Sequence, residues 1–368
     1  MPKVVVAMSG GGGSSVAATI LKEEGYDVIG ATLELWPSDK LAREAENFGS
    51  CCSQSAIENA RRVACRLGIP HRVINLREIF AQKVIAHFCR EYSSGRTPNP
   101  CIKCNRCIKF GALLERAREF DADFVATGHY ARIDKNMANG RFLLKRGIDP
   151  TKDQSYVLYA LTQDQLEHTI FPLGNLTKER VWEIAQGLGS AIASKSESQD
   201  ICFIPDGDRP GFLKEYVPQA AEPGPILDRE GTILGAHRGI MFYTIGQRKR
   251  LGISAKEPLY VTEIDQERNA IVVGPKREVY EDELIASELN WIAMEELRRA
   301  IRAKAKIRYL HQESEATVMP VTGDKVRVKF KQPQMAIAPG QAVVFYDGDV
   351  VVGGGTIDQT GKMATWPK

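Results

Sequence analysis

A short apolar run that passes directly into a cluster of glycines constrains the fold of this chain more than any other feature. Residues 3–8 (KVVVAM) predict a strand buried on both faces, and the glycine-rich stretch Ser9–Ser14 follows it. An apolar helical stripe from Val16 to Leu21 then ends at Gly25, a natural C-terminal cap. A loop between a strand and a helix N-terminus presents backbone N–H groups to an anion. This unit therefore predicts a phosphate-binding loop.

The loop differs from the two most familiar phosphate-binding motifs. No Gly-Lys-Ser/Thr follows the glycines, which excludes a Walker A loop, and the spacing is not that of the dinucleotide fingerprint. The same alternation of strand and helix continues to about residue 205, with further strands predicted at Asp27–Leu35, His71–Leu76 and Asp123–Thr127. Such alternation is typical of an α/β domain with a parallel sheet covered on both faces.

The pattern changes after residue 205 to short β-prone runs separated by Pro, Gly and Asp. Val326, Val328 and Phe330 alternate with basic residues, as in a strand with one solvated face. We therefore predict three parts: residues 1–205, a small central domain at 206–282, and a C-terminal antiparallel β-barrel at 283–368.

Charge and hydropathy limit the partners that the chain is expected to have. The net charge is only +3, but basic residues cluster at 298–308 and at Gln247–Arg250, which leaves nucleic-acid binding open beside the simpler interpretation of a solvated surface. The apolar run at the start is too short for an export signal, and no stretch has the length of a membrane span. We expect a cytoplasmic protein with no membrane partner.

Eight cysteines are crowded along the chain, at positions 51, 52, 65, 89, 101, 104, 107 and 202. In a cytoplasmic chain this usage indicates thiol chemistry or a cluster rather than a disulfide framework. A helix is predicted to start near Asn105, which would put Cys104 at its N-terminus and favour the thiolate. Cys107 has the spacing of a core residue, and Cys202 is a lone cysteine, a type that is more often inert than catalytic.

Seven motifs occur in an order that resembles a known family. They are Ser9–Ser15, Thr97–Asn105, Ala126–Arg132, Lys152–Tyr156, Ser196–Phe203, Tyr243–Lys249 and Ala338–Ala342. The first is similar to the SGGxDS loop of the ATP pyrophosphatases, which split ATP between its α and β phosphates. Together, and almost from end to end, the motifs closely resemble those of the tRNA-specific 2-thiouridylases, the bacterial MnmA family.

The resemblance implies a fold, a reaction and partners. The fold is α/β: an N-terminal parallel-sheet ATP pyrophosphatase domain (PP-loop, adenine nucleotide alpha hydrolase-like), a small central domain, and a C-terminal antiparallel β-barrel that grips the tRNA. The reaction is ATP-dependent 2-thiolation of the wobble uridine: adenylation of the C2 oxygen, then sulfur transfer from a cysteine persulfide, with release of AMP and pyrophosphate. The implied cofactors are ATP and Mg2+, and the implied partners are tRNA and a persulfide sulfur-donor protein.

The resemblance also implies roles for individual residues. Cys104 matches the catalytic nucleophile and Cys202 the cysteine that carries the persulfide. The positions that match ATP contacts are Ala7, Met8, Ser9, Gly10, Gly11, Gly12, Gly13, Ser14, Leu33 and Gly128. The positions that match contacts with the tRNA or its target base are Asn99, Pro100, Cys101, His129, Lys152, Asp153, Gln154, Arg308, Tyr309 and Gln341.

Two departures from the family pattern keep alternatives open. Gly12 and Gly13 stand where the family loop has an apolar residue and an Asp, and an Asp there can hold Mg2+ against the phosphates. A catalytically impaired tRNA-binding homologue is therefore one alternative, and an ATP pyrophosphatase that adenylates a small carbonyl compound is another. Some family members have Asp at the position of Cys101. An iron-sulfur cluster held by Cys101, Cys104 and Cys202 is the alternative to a persulfide relay.

Overall fold

The computed structural model describes residues 1–36, 54–188, 201–204 and 207–361. The strands are β1 (Lys3–Ala7), β2 (Asp27–Glu34), β3 (His71–Asn75), β4 (Phe124–Ala126), β5 (Ala131–Lys135), β6 (Phe142–Arg146), β7 (Thr169–Ile170), β8 (Gly224–Leu227), β9 (Ile233–His237), β10 (Leu259–Asp265), β11 (Ala270–Pro275), β12 (Tyr280–Trp291), β13 (Ile301–Lys306), β14 (Ser314–Val321), β15 (Lys325–Met335), β16 (Ala342–Asp347) and β17 (Val350–Thr360).

The helices include two that change hydrogen-bond pattern along their length. They are α1 (Gly12–Glu23), α2 (Gln54–Leu67), α3 (residues 77–93), α4 (residues 100–118), α5 (Ser155–Leu158), α6 (Gln163–Glu167), α7 (Lys178–Gly187) and α8 (Arg209–Tyr216). Within α3 the segment Ala81–Ile85 is π-helical, and within α4 the segment Asn105–Ala112 is π-helical. Short 3-10 turns occur at Pro218–Ala220, Ile240–Phe242 and Lys276–Val279.

The N-terminal sheet confirms the predicted α/β architecture. Its described strands run in the order β3-β2-β1-β4-β7, and every pairing is parallel. β1 lies in the centre, where Val4, Val5 and Val6 have no solvent exposure. A strand in that position has both faces covered, which is why its sequence is a continuous apolar run rather than an alternating one. The end of α1 also follows the prediction, because Gly25 adopts a φ of +88° just after the helix.

The C-terminal strands confirm the predicted antiparallel barrel. They run in the order β12-β15-β14-β13-β16-β17, and β12 pairs back with β17 to close the ring. On β15 the alternation read from the sequence is observed directly, since Val326, Val328 and Phe330 are buried in the barrel core. Closure leaves neither β12 nor β17 as a free edge at their shared pairing.

One hairpin from the predicted N-terminal domain, β5–β6, joins the sheet of the predicted C-terminal barrel. β5 and β6 pair with each other and extend the barrel sheet, with Lys145 of β6 opposite Val350 of β17. Arg132 of β5 also reaches Asp349 at 2.7 Å. The first 205 residues therefore contribute strands to a sheet otherwise built from the C-terminal part. The predicted boundaries at residues 205 and 282 stay predictions.

The central part forms a separate small sheet between these two. Its order is β10-β11-β8-β9, antiparallel except for the β8–β11 pair, and Ile226, Val261 and Ile271 fill its core. Across the described ranges, no helix combines the length and the apolar character needed to cross a bilayer.

Candidate functional site

The glycine loop joins the carboxyl end of β1 to the first turn of α1. Gly11 is extended at the N-cap, with a φ of −101°, and α1 begins at Gly12. The Ser9 N–H donates to Ser14 Oγ at 3.1 Å, and the hydroxyls of Ser14 and Ser15 donate to the Gly11 carbonyl at 3.2 and 2.9 Å. These serines fix the loop against the helix. The N–H groups of a first helical turn have no intrahelical partner, so they point outward as anion donors.

Two glycines of the site are required by close approach rather than by flexibility. Gly10 has a φ of +68°, and a Cβ there would collide with the Ala56 carbonyl of α2. Gly128, just after β4, lies against the loop: a Cβ on it would stand 2.8 Å from the Gly13 carbonyl carbon and 2.9 Å from the Ser14 nitrogen. The structure therefore brings Gly128 and the glycine loop together at the carboxyl ends of adjacent parallel strands, the usual ligand site of open α/β sheets.

The other residues matched to ATP lie at the same edge of the sheet. The main chain of Met8 is held on both sides, since its N–H donates to the Ala31 carbonyl at 2.7 Å and its carbonyl accepts from the Thr32 hydroxyl at 2.8 Å. Thr32 Oγ1 also lies 2.9 Å from His71 Nε2. Leu33 is buried in β2. Ala7, Met8 and Leu33 thus form the rigid floor behind the loop.

Gly13 leaves room where the family motif has a carboxylate. A Cβ at Gly13 would make ordinary contacts, 3.5 Å from Leu173 Cδ1 and 3.7 Å from the Gly128 carbonyl oxygen. The loop therefore suits the phosphates of ATP through its N–H groups. For Mg2+ it offers hydroxyl and carbonyl oxygens only, whereas the carboxylate that this cation commonly takes in proteins is missing from the loop.

His129, the residue after Gly128, has a buried side chain. Its Nδ1 lies 2.6 Å from Thr127 Oγ1, and its ring contacts Phe110 and Phe171 at centroid distances of 5.9 and 6.0 Å. Burial, with a smaller contribution from the positive charge of Lys109, holds the pKa of His129 well below its usual value. His129 therefore packs inside the domain, against the helix that carries Cys104 and against Phe171.

The helix that carries Cys101 and Cys104 starts earlier than predicted. Asn99 is its N-cap and accepts from the Cys101 N–H at 3.1 Å, and Pro100 occupies the first helical position. The predicted start near Asn105 was wrong because a capping Asn followed by Pro is already a complete start signal. Cys101 is consequently the exposed cysteine of the first turn, and Cys104 is buried one turn further in. The helix-terminus argument for a thiolate applies to Cys101, not to Cys104.

The segment before this helix is held by the barrel. The Thr97 N–H donates to the Pro339 carbonyl at 2.8 Å, and Gln341 Nε2 donates to the Thr97 carbonyl at 2.9 Å. Gly340 has a φ of +89°, and a Cβ there would stand 2.8 Å from the Thr97 nitrogen. The neighbouring Arg96 adds an ion pair with Glu91 at 2.8 Å. Gln341, matched to a tRNA contact in the sequence, therefore binds the cysteine segment.

Comparison with known proteins decides the family. Residues 2–206 match the tRNA methyl transferase HUP domain, 210–275 its PRC-barrel domain, and 281–357 the aminomethyltransferase beta-barrel domain. The chain is similar to proteins named tRNA-specific 2-thiouridylase MnmA: it is 52% identical to MnmA 1 of Caldanaerobacter subterraneus subsp. tengcongensis (97% of this chain, 98% of the relative). It is also 52% identical to MnmA of Clostridium acetobutylicum (96% of this chain, 99% of the relative). Its identity to MnmA of Heliobacterium modesticaldum is 54% (96% of this chain, 92% of the relative). The chain belongs to the tRNA-specific 2-thiouridylase family.

Cys202, matched in the sequence to the persulfide cysteine, is half-buried and packs against the same hydrophobic cluster that contains Cys104. Residues 196–200 of its motif, like Cys51 and Cys52, lie outside the described residues. Among the residues that are described, no three His, Cys, Asp or Glu side chains are grouped so that they could hold a metal ion. Cys101, Cys104 and Cys202 are all described, so their arrangement does not fit the iron-sulfur alternative.

Some of the residues matched to tRNA contacts bind other parts of the protein, and others are partly exposed to solvent. Asp153 is buried and accepts from the Gly147 N–H at 3.2 Å and the Ser155 hydroxyl at 2.9 Å. Gln154 Oε1 accepts from the Tyr130 N–H at 3.1 Å. Both side chains therefore hold the loop after β6 in place through bonds to the protein itself. Lys152, Arg308 and Tyr309 are half-buried and keep surface toward solvent.

Proposed function

We propose that this member of the family catalyses the ATP-dependent 2-thiolation of the wobble uridine of tRNA. The proposal rests on two features that occur together in this family member. One is a glycine loop that Gly128 contacts, and the other is a cysteine segment that is hydrogen-bonded to the barrel. The first can hold the phosphates of ATP, and the second can present Cys104 to a base bound by the barrel. ATP, tRNA and a persulfide donor meet in the cytoplasm, which we propose as its compartment.

The loop would act in the first step. The C2 oxygen of uracil is a poor leaving group, so it attacks the α-phosphorus of ATP and expels pyrophosphate. The N–H groups of the first turn of α1 stabilise the charge that develops on the phosphates. Mg2+ bound with ATP would neutralise part of that charge. The residues proposed to form this part of the site are Ala7, Met8, Ser9, Gly10, Gly11, Gly12, Gly13, Ser14, Leu33 and Gly128.

The two cysteines would act in the second step. The terminal sulfur of a Cys202 persulfide attacks C2 and displaces AMP, giving a disulfide between Cys202 and the base. The Cys104 thiolate then attacks the Cys202 sulfur, which forms a Cys104–Cys202 disulfide and leaves the sulfur on C2 as 2-thiouridine. A thiol reductant restores the two thiols, and a persulfide donor protein reloads Cys202. Burial of Cys104 keeps water away from the activated base.

The barrel and adjoining loops would hold the RNA. Lys152, Arg308 and Tyr309 have the exposure that phosphate and base contacts require. We propose contacts with the tRNA or its target base at Asn99, Pro100, Cys101, His129, Lys152, Asp153, Gln154, Arg308, Tyr309 and Gln341. For His129, Asp153, Gln154 and Gln341 the contact would be indirect, because their side chains bind the protein's own loops.

A reconstitution tests the function directly. Purified protein is incubated with ATP, Mg2+, unmodified tRNA and a persulfide donor, and 2-thiouridine is measured by nucleoside mass spectrometry. Cys104→Ser and Cys202→Ser should each abolish the product and leave tRNA affinity nearly unchanged. The exposed Cys65→Ser is the matched control and should keep full activity. Wild-type product from either site variant contradicts the relay.

One observation favours a second candidate, a tRNA-binding homologue with impaired catalysis. Gly12 and Gly13 leave the loop without a carboxylate. This candidate predicts tight tRNA binding with no pyrophosphate release at any Mg2+ concentration. Pyrophosphate release that requires tRNA contradicts it, whereas release without tRNA that depends on an added small carbonyl compound indicates adenylation of that compound.

A further inference from the structure

A cavity lies where the segment that carries Cys202 meets the central sheet. Its volume is about 940 Å3, and we call it the junction cavity. One wall is formed by Ile201 and Ile204, which flank Cys202, and by α8. A second wall is formed by Tyr243, Gln247 and residues that follow them, Lys249 and Arg250. The family-like motif Tyr243–Lys249, which has no role in the reaction described above, therefore lines a cavity beside the proposed persulfide cysteine.

The charged side chains that line this cavity are mostly positive. Lys214 of α8 and three residues of the central part, Arg238, Lys249 and Arg250, line it and are exposed. Within the described residues none of these four forms an ion pair. The one carboxylate of the lining, Asp208, caps α8 by accepting from the Gly211 N–H at 3.1 Å.

A fifth cation of the lining is fixed in place. Arg209 donates to the Tyr92 hydroxyl at 2.9 Å, and its guanidinium lies over that ring at 4.8 Å from the centroid. Like charges held around one cavity repel one another, so an anion that enters is stabilised by all of them.

The basic face of the barrel provides the contrast. On β15, Lys325, Lys329 and Lys331 are each paired with a carboxylate, at 3.2, 2.9 and 2.7 Å. These charges are largely neutralised by the protein itself. The cations of the junction cavity have no such partners in the described chain. As far as the described residues go, their charge is available for an external anion.

We propose that the junction cavity binds the phosphodiester backbone of the tRNA while its wobble base is in the active site. The inference rests on the proposed function, because that function supplies the polyanion. RNA suits the cavity since its phosphates are always charged and closely spaced, and Lys and Arg on both walls can contact successive phosphates. Binding there would also set the tRNA backbone beside the Cys202 segment.

The test reverses one charge on each wall. The variant is Lys214→Glu/Lys249→Glu, and the matched control is Arg229→Glu/Lys276→Glu, which makes the same charge change at two exposed residues that do not line the cavity. Arg229 lies outside the cavity in the turn between β8 and β9. Arg250 is left unchanged because its φ of +65° makes its backbone a poor site for substitution. A charge-neutral variant, Lys214→Gln/Lys249→Gln, shows whether any effect scales with charge.

Two measurements on the full-length protein distinguish the outcomes. The first is tRNA affinity across a salt series, and the second is persulfide loading of Cys202 from a cysteine desulfurase without tRNA. We expect the Glu variant to bind tRNA at least about tenfold more weakly, with a salt slope lower by about two, and to load persulfide normally. The control should match the wild type.

Two results overturn the inference. Unchanged tRNA affinity and salt slope would mean that the cavity does not contact RNA. Unchanged tRNA binding with impaired persulfide loading would assign the cavity to an acidic surface of the sulfur donor instead. Failure of the wild type itself to bind tRNA would contradict the proposed function, and that result is separate from either of these.

Discussion

The glycine loop and the cysteine segment achieve rigidity in opposite ways. Ser9–Ser14 is fixed by its own serine hydroxyls and by Gly128 from the next strand of the same sheet. The segment from Arg96 to Cys101 is fixed by contacts from distant parts of the chain: Pro339, Gly340 and Gln341 of the barrel reach Thr97. One half of the site is therefore autonomous, and the other is complete only when the barrel is in place.

This difference matches the two tasks that we propose. A loop that binds the same triphosphate in every cycle gains from a fixed backbone cradle. A segment that must present a thiol only to the correct RNA gains from being attached to the part that holds the RNA. Perturbing each half separately should consequently give different kinetic signatures.

The largest effect is expected at Gly128. In Gly128→Val, the new Cβ would stand within 3 Å of the Gly13 and Ser14 backbone, so the loop must move and its N–H groups lose their alignment. Pyrophosphate release should fall by about a thousandfold, since several charge-stabilising donors are lost together. tRNA affinity should be unchanged. Gly187→Ala, where a Cβ meets nothing within 4 Å, is the control. A variant that keeps wild-type turnover would show that the loop does not need this close approach.

The next effect is a gain, at Gly13. Gly13→Asp should raise ATP turnover by about a hundredfold, because the carboxylate can place a metal ion against the phosphates. The 3.5 and 3.7 Å contacts of its Cβ are ordinary van der Waals distances, so a Cβ fits at this position without displacing the loop. Gly13→Asn, of the same shape but uncharged, is the matched control and should gain little. If the wild type already turns over as fast as the Asp variant, the metal is held elsewhere and the loop's implied role is wrong.

A smaller effect is expected on the other side of the comparison, at Gln341. Gln341→Glu keeps the shape but replaces the donor to the Thr97 carbonyl with a second acceptor. The unfavourable pairing should loosen the cysteine segment and lower kcat for thiolation by about tenfold, with tRNA affinity changed less than about twofold. Gln219→Glu, on an exposed turn, controls for the added charge. A loss that appears only in tRNA affinity would instead make Gln341 a direct RNA contact.

The same contrast explains what the sequence could reveal. The strand and helix on either side of the glycine loop, the central parallel strands and the alternating face of β15 depend on neighbours in sequence, and these elements were predicted correctly. Phosphate binding by the loop stays a prediction. The helix start at Asn99 was also encoded locally, by the Asn-Pro pair, and was missed. The bond from Gln341 to Thr97 joins residues 244 positions apart, and the β6–β17 pairing is similarly distant. No local pattern encodes such contacts.

The smallest predicted effect concerns the pH dependence of stability, which should differ between the glycine loop and the barrel-held cysteine segment. Burial depresses the pKa of His129 in the folded protein, whereas the unfolded chain has the ordinary value of about 6.5. Below about pH 6.5 the unfolded state therefore binds a proton that the folded state does not. Stability rises with pH through this window and is lost as the pH falls, by up to about 1.4 kcal/mol per pH unit for this one group.

His129→Gln should therefore flatten the dependence of the unfolding free energy on pH between about 5 and 6.5, whatever it does to stability at pH 8. Denaturant titrations at several pH values measure this slope. Other histidines with a lowered pKa, such as His71 and His237, leave a residual slope in the variant. His168→Gln, at a partly exposed position, controls for loss of a histidine. Because His129 directly follows Gly128, which contacts the glycine loop, protection factors for amide exchange in β4 and the loop should fall on acidification before those in the barrel do. An equal fall of the protection factors in both regions would show that the loop is not autonomous, and the contrast between the two halves would fail.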